Sequence, residues 1–178
     1  VLPWVGWSKG RGIDAKVDFS TKTTDGVTEI SDLTLKGDGF GASGDLVVDK
    51  SGLRKGNFTS VRLASDDDYR VAIERQKGGY GVSVKGRAAD FRPLIMSLRS
   101  PSKPGSGGDA QQVSVVANLD TISGFHSENL SNLNLRYSAR GSRIDTLDLS
   151  AVTKSGQAVV AKMVANGPDN TLELTSGD

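Results

Sequence analysis

Tyr69-Arg70-Val71-Ala72-Ile73-Glu74-Arg75-Gln76, Lys77-Gly78-Gly79 and Tyr80-Gly81-Val82-Ser83-Val84 form the stretch from which the fold is read. Tyr69, Val71 and Ile73 alternate with Arg70, Ala72 and Glu74, and Tyr80, Val82 and Val84 repeat that alternation beyond two glycines. A period of two puts successive side chains on opposite faces of an extended strand. Gly-Gly supplies the positive φ angles that tight hairpin turns require. The stretch therefore reads as a β-hairpin with one apolar face.

The same grammar extends in both directions. Upstream, Ala15, Val17 and Phe19 alternate with Lys16, Asp18 and Ser20; Leu33 and Leu35 alternate with Asp32, Thr34 and Lys36; Leu46 and Val48 follow, then Phe58 to Leu63. Downstream, Val113, Val115, Ala117 and Leu119 share one face. Leu133, Leu135 and Tyr137 come next, then Leu147, Leu149 and Ala151, Ala161, Met163 and Ala165, and finally Leu172 and Leu174. Turns are expected at Arg140-Gly141-Ser142, Lys154-Ser155-Gly156 and Asn166-Gly167-Pro168-Asp169. About a dozen strands result, a mainly β chain organised as a long antiparallel meander.

One segment departs from this pattern. Asp90 can cap a helix, Pro93 is tolerated in its first turn, and Phe91, Leu94, Ile95 and Leu98 fall at helical spacing. A single short α-helix is expected near residues 90–99. Residues 100–110, rich in Pro, Gly and Ser, read as a flexible linker. The chain thus divides into a first β-meander segment, 1–99, and a second, 111–178. Asp32-Leu33-Thr34-Leu35-Lys36-Gly37 resembles Asn132-Leu133-Asn134-Leu135-Arg136-Tyr137, which suggests an internal repeat.

Composition narrows the function. With 22 basic and 21 acidic residues well mixed, the net charge is +1, and no basic stripe marks a nucleic-acid surface. The absence of cysteine removes disulfides, thiolate nucleophiles and Cys-metal sites, and one histidine leaves little scope for His-based metal or acid–base chemistry. No metal, cofactor or catalytic residue is expected. No signal peptide or apolar run of membrane-spanning length is present. The chain begins at Val1 rather than Met and reads as a piece of something longer, with any membrane anchor outside it.

Several local patterns have a bland reading. Gly39-Phe40-Gly41-Ala42-Ser43-Gly44 spells the dinucleotide fingerprint, but the Asp45-Leu46-Val47-Val48 that follows is strand-like, whereas phosphate binding needs a helix there. Asp66-Asp67-Asp68 lacks the spaced oxygen ligands of a calcium loop and reads as a solvated turn. His126 reads as a loop residue, and no nucleophile-elbow motif accompanies it. Asn57-Phe58-Thr59 and Asn129-Leu130-Ser131 are chance-length sequons. Trp4 and Trp7 suit packing at a sheet end or an apolar ligand surface.

Leu2-Pro-Trp-Val-Gly-Trp-Ser-Lys9, Leu33-Thr-Leu-Lys-Gly-Asp-Gly-Phe-Gly-Ala-Ser-Gly-Asp-Leu46 and Tyr80-Gly-Val-Ser-Val-Lys-Gly86, running on into Ala89-Asp-Phe-Arg-Pro-Leu-Ile95, together resemble the AsmA-like superfamily, nearest its large YhdP-type members. The resemblance covers most of the chain, most clearly up to about residue 99. It implies a periplasmic segment of an inner-membrane-anchored protein. Its long curved sheet would form a groove that carries phospholipid toward the outer membrane, and no catalytic residues belong to that pattern.

On this reading the groove-lining positions are Val17, Phe19, Leu33, Leu35, Leu46, Val48, Val71, Ile73, Val82 and Val84, followed by Val115, Ala117, Leu133, Leu135, Leu147 and Leu149. The expected partners are phospholipid acyl chains and neighbouring segments of the same full-length protein, with edge-strand self-association of an excised piece and no nucleic acid. The alternating strands themselves suit an open trough or a closed sandwich equally. A structural or interaction module without lipid is therefore the alternative, and an enzyme would need convergent polar groups that the motifs do not supply.

Overall fold

The computed structural model describes residues 12–92, 111–124, 128–141, 143–166 and 169–177. The expected linker, most of the expected helix, Trp4, Trp7 and His126 lie outside them. Asp90 does act as a cap, since its Oδ1 accepts the N–H of Arg92 at 3.0 Å, and Arg92 is helical.

Eleven strands follow one another: β1 (Ala15–Thr24), β2 (Val27–Gly37), β3 (Phe40–Asp49), β4 (Gly52–Arg62), β5 (Asp68–Gln76), β6 (Gly79–Asp90), β7 (Gln112–Ser123), β8 (Asn129–Arg140), β9 (Arg143–Thr153), β10 (Ala158–Asn166) and β11 (Asp169–Ser176). They form one sheet in strict sequence order, and it does not close into a barrel. The hairpin read from Tyr69 to Val84 is β5–β6, turning at Lys77-Gly78 with Gly78 at φ 86°. The Gly39–Gly44 stretch forms the β2–β3 turn and the start of β3, so no helix N-terminus meets it.

One pairing departs from the meander. β6 and β7 run parallel, from Gly79↔Gln112 to Asp90↔Ser123. Local alternation carries no information about strand direction. Parallel neighbours need a long crossover, which the 21 residues between the two strands supply. The two meander segments are thereby joined edge to edge in one sheet.

A line of bulges crosses the sheet. On β2, Ile30 and Leu33 pair with Leu46 and Gly44, three steps against two. The same excess occurs on β4, where Phe58 and Val61 face Val71 and Tyr69. On β6, Gly86 and Ala88 face Tyr69 and Asp68; on β8, Ser131 and Asn134 face Val152 and Ser150. An inserted residue bends its strand and shifts the later side chains to the other face. Apolar positions therefore step by three, Ile30 to Leu33, Phe58 to Val61 and Leu130 to Leu133, and remain on one side of the sheet, where Leu119 and Ile122 of β7 pack in one buried cluster with Leu133.

The internal repeat is real at the level of backbone. Ala15 to Asp18 pair with Gly37 to Thr34, and Val115 to Asn118 pair with Tyr137 to Asn134, the same register displaced by one hundred positions. The β3–β4 turn is Asp49-Lys50-Ser51-Gly52 and the β9–β10 turn is Thr153-Lys154-Ser155-Gly156, with the glycines at φ 101° and 85°. In each, the first side chain accepts a backbone N–H that closes the turn, from Ser51 at 2.8 Å and from Gln157 at 3.0 Å. Strands β7 to β11 thus correspond in order to β1 to β5.

Candidate apolar groove

Residues directly opposite one another on paired strands share a face. Following the pairings from strand to strand gives continuous lateral rows. One runs Leu33, Gly44, Phe58, Val71, Val84, Ala117, Leu135, Leu149, Ala161 and Leu174, one residue from each of β2 to β11. A second runs Val17, Leu35, Ala42, Val61, Tyr69, Gly86, Leu119 and Leu133 across β1 to β8. A third runs Ile30, Leu46, Gly56, Ile73, Val82, Val115, Tyr137 and Leu147. Val48, beside Thr28 and Leu53, continues the face beyond Leu46, and Phe19 lies between Val17 and Thr21 on β1.

The opposite face is polar. Its central row is Asp45, Asn57, Ala72, Ser83, Val116, Arg136, Asp148, Lys162 and Glu173, and the last four alternate in charge. Asn118 donates from Nδ2 to Asn134 Oδ1 at 2.8 Å on this side. The sheet is therefore a single amphipathic layer.

Burial is uneven along the apolar face. Leu133 is 1% exposed and Leu119 2%, packed with Ala89, Ile122 and Ala151, and Ala117 is likewise 2% exposed. Tyr69, Val84, Phe91, Leu130 and Leu149 pack around that cluster, which draws on β5 to β9. At the margins the same face is open, with Val17 51%, Phe19 56%, Leu172 57% and Leu174 70% exposed. The remaining sequence-derived positions, Leu33, Leu35, Leu46, Val48, Val71, Ile73, Val82, Val84, Val115, Leu135, Leu147 and Leu149, are half-buried. Side chains on the inside of a bend crowd together, and the line of bulges supplies such a bend through the middle of the sheet.

Glycines in the rows make room for aromatics. A Cβ at Gly86 would collide with Tyr69 Cα and Cβ, its cross-strand partner. Tyr69 lies over that gap, and its hydroxyl pKa is raised by desolvation and by the carboxylates of Asp67 and Asp90.

The acidic triplet is not the solvated turn its composition suggests. Asp67 is 4% exposed, and its carboxylate accepts N–H groups from Leu63 (3.0 Å), Ala64 (2.9 Å) and Asp90 (2.7 Å). It closes the β4–β5 turn and ties it to the end of β6. Burial pushes its pKa up, against the three N–H donors that favour the charged form. Asp68 pairs with Arg87 at 3.0 Å. At the other end of β5, Arg75 grips Asp49 with two guanidinium N–H bonds of 2.9 and 3.0 Å and also donates to the carbonyls of Gly52 and Leu53. That contact holds the Asp49 carboxyl below its ordinary range. These polar clusters lock turns.

Sequence reading placed Tyr69 and Leu119 on the apolar face of their strands but passed over Ile30, Phe58, Val61, Ile122 and Leu130 as members of it. The available signal was the step of three between apolar residues, which breaks a period-two count. Among the described residues no cluster of metal-ligating side chains occurs, and no helix is long and apolar enough to cross a membrane. Comparison with protein-family models, curated proteins and solved structures finds no match to this chain.

Proposed function

We propose that the chain is a non-catalytic segment of an AsmA-like, inner-membrane-anchored protein. Its apolar face would line a periplasmic path for phospholipid acyl chains moving between the inner and outer membranes. The observation that carries this reading is the ten-strand row from Leu33 to Leu174, on one face of a single-layer sheet with a charged reverse side. An amphipathic sheet must cover its apolar face, and in a closed sandwich a second sheet does so. The described strands provide no second sheet. Acyl chains match such a surface in chemistry, since aliphatic side chains dominate it and aromatic residues form only 6% of the sequence. No polar group need point into the path, because hydrocarbon offers none to pair with it.

The test is native mass spectrometry with lipid extraction on the chain purified from a bacterial host. Phe19→Asp and Leu35→Asp are the informative variants, because both positions retain exposure and can lose lipid without losing the fold. Leu133→Asp would bury a charge in the central cluster and unfold it. Co-purified phospholipid that disappears in the two folded variants supports the groove.

The alternative is a structural β module that supports envelope assembly without binding lipid. It draws on the tight cluster around Leu133, where the face is already filled by protein. Absence of lipid from a cooperatively melting wild-type chain would favour it.

A further inference from the structure

On the polar face, Arg70, Lys85 and Asn118 form a lateral row across β5, β6 and β7, two residues along from Ala72, Ser83 and Val116. Arg70 and Lys85 stand directly opposite one another. Side chains so placed begin about 5 Å apart, and like charges in that position repel. Among the described residues neither cation has a hydrogen bond or an ion pair, whereas Arg75, Arg87, Arg92 and Arg143 each hold a carboxylate. The two cations open instead onto a cleft of about 500 Å³, walled also by Asn118, the Arg87–Asp68 ion pair and Asp120. Asn118 gives one amide N–H to Asn134, which leaves its second N–H for another acceptor.

We propose that this cleft binds one phosphate group, held between Arg70 and Lys85 with Asn118 as a third donor. Donors from three adjacent strands suit a tetrahedral oxyanion, whereas a planar carboxylate offers only two oxygens. A guanidinium supplies a planar fork of N–H groups and an ammonium a point charge, and both recur as phosphate ligands. A bound anion also replaces the repulsion between Arg70 and Lys85 with attraction to a shared partner. Asp68 neutralises Arg87, and Asp120 lies across from Arg87, between the Gly86↔Leu119 and Ala88↔Thr121 pairs. The remaining positive charge therefore suits a single phosphate rather than a polyanion track. The phosphate is either the free ion or the phosphodiester of a headgroup. Because the cleft lies on the face opposite the apolar groove, the site does not depend on acyl chains in that groove.

The test is an NMR titration of the isotope-labelled full chain with inorganic phosphate and, separately, with glycerophosphoethanolamine, a headgroup phosphodiester without acyl chains. Ionic strength is held constant with chloride, since exposed charges are screened by salt. The expected result is saturable shifts of the backbone amides around residues 70, 85 and 118. Arg70→Gln and Lys85→Gln should each weaken binding about fivefold, the upper range for an exposed charged contact. Arg136→Gln, which removes a cation of the same face paired with Asp148, should change it less than about twofold. Asp120→Asn should tighten binding by removing a repelling carboxylate. Both cleft variants relieve a like-charge pair, so without phosphate each should melt no lower than the parent chain. Saturation by phosphate alone assigns the site to the free ion, and saturation by the diester assigns it to a headgroup. Shifts that fail to saturate with either compound would overturn the proposal, as would equal affinity in Arg70→Gln, Lys85→Gln and Arg136→Gln.

Discussion

Asp32 and Asn132 hold the same left-handed backbone conformation, φ 55° and 54°, at the bulges of β2 and β8. Two residues further on, each is met by a side-chain donor: Thr34 Oγ1 bonds the Asp32 carbonyl at 3.3 Å, and Asn134 Nδ2 bonds the Asn132 carbonyl at 3.1 Å. Aspartate and asparagine tolerate positive φ better than other residues with a side chain. The bulge is therefore written into both halves by the same polar-Leu-donor-Leu pattern, and it keeps Ile30 with Leu33, and Leu130 with Leu133, on the apolar side.

Replacing Asn132 tests that device. Asn132→Gly should leave stability within ~0.5 kcal/mol, because glycine enters the left-handed region freely. Asn132→Val should cost ~1–3 kcal/mol, the typical strain of a β-branched residue held at positive φ. Urea unfolding with unchanged m-values would measure both.

Packing predicts a sharp contrast on the apolar face. Leu133→Ala should cost ~2–5 kcal/mol, as expected for truncating a fully buried leucine. Leu174→Ala, at a position 70% exposed, should cost less than ~0.5 kcal/mol. Thermal unfolding of the two variants is the measurement.

Gly86→Ala should destabilise by ~1–3 kcal/mol, because the new methyl group overlaps the backbone and Cβ of Tyr69. Adding Tyr69→Ala should not restore stability, since the Tyr69 Cα and Cβ remain in place. A double-mutant cycle read by chemical denaturation checks this.

Asp67→Ala should cost at least ~2 kcal/mol, because three backbone N–H groups lose their acceptor in a buried turn. Hydrogen exchange at Leu63, Ala64 and Asp90 should accelerate before that of β8.

The Asp49–Arg75 pair sets a pH dependence. Its folded-state carboxyl pKa lies below the ordinary 3.8, chiefly through the Arg75 hydrogen bonds. The stability it contributes is thus present above that value and is lost as pH falls through the folded pKa. Asp49→Asn should flatten the acid limb of a stability–pH profile below about pH 4 and leave its shape near neutrality unchanged.

The β class, the alternation on each strand, the Lys77-Gly78 hairpin, the Asp90 cap and the Leu33/Leu133 similarity were all legible in the sequence, because each is a local property of backbone and side chain. So was much of the apolar set, since periodicity identifies faces wherever it is unbroken. The membership of Ile30, Phe58, Val61, Ile122 and Leu130 was not, because a bulge reverses facing by inserting one residue whose effect appears only against a partner strand. Parallel pairing of β6 with β7 depends on where a crossover returns, and burial of Asp67 on N–H groups brought from two separate strand ends. Sequence by itself determined which residues could form one apolar face. The tertiary structure decided that these faces join into a single open sheet, buried near Leu133 and bare at Phe19, because burial depends on flanking strands that no local pattern specifies.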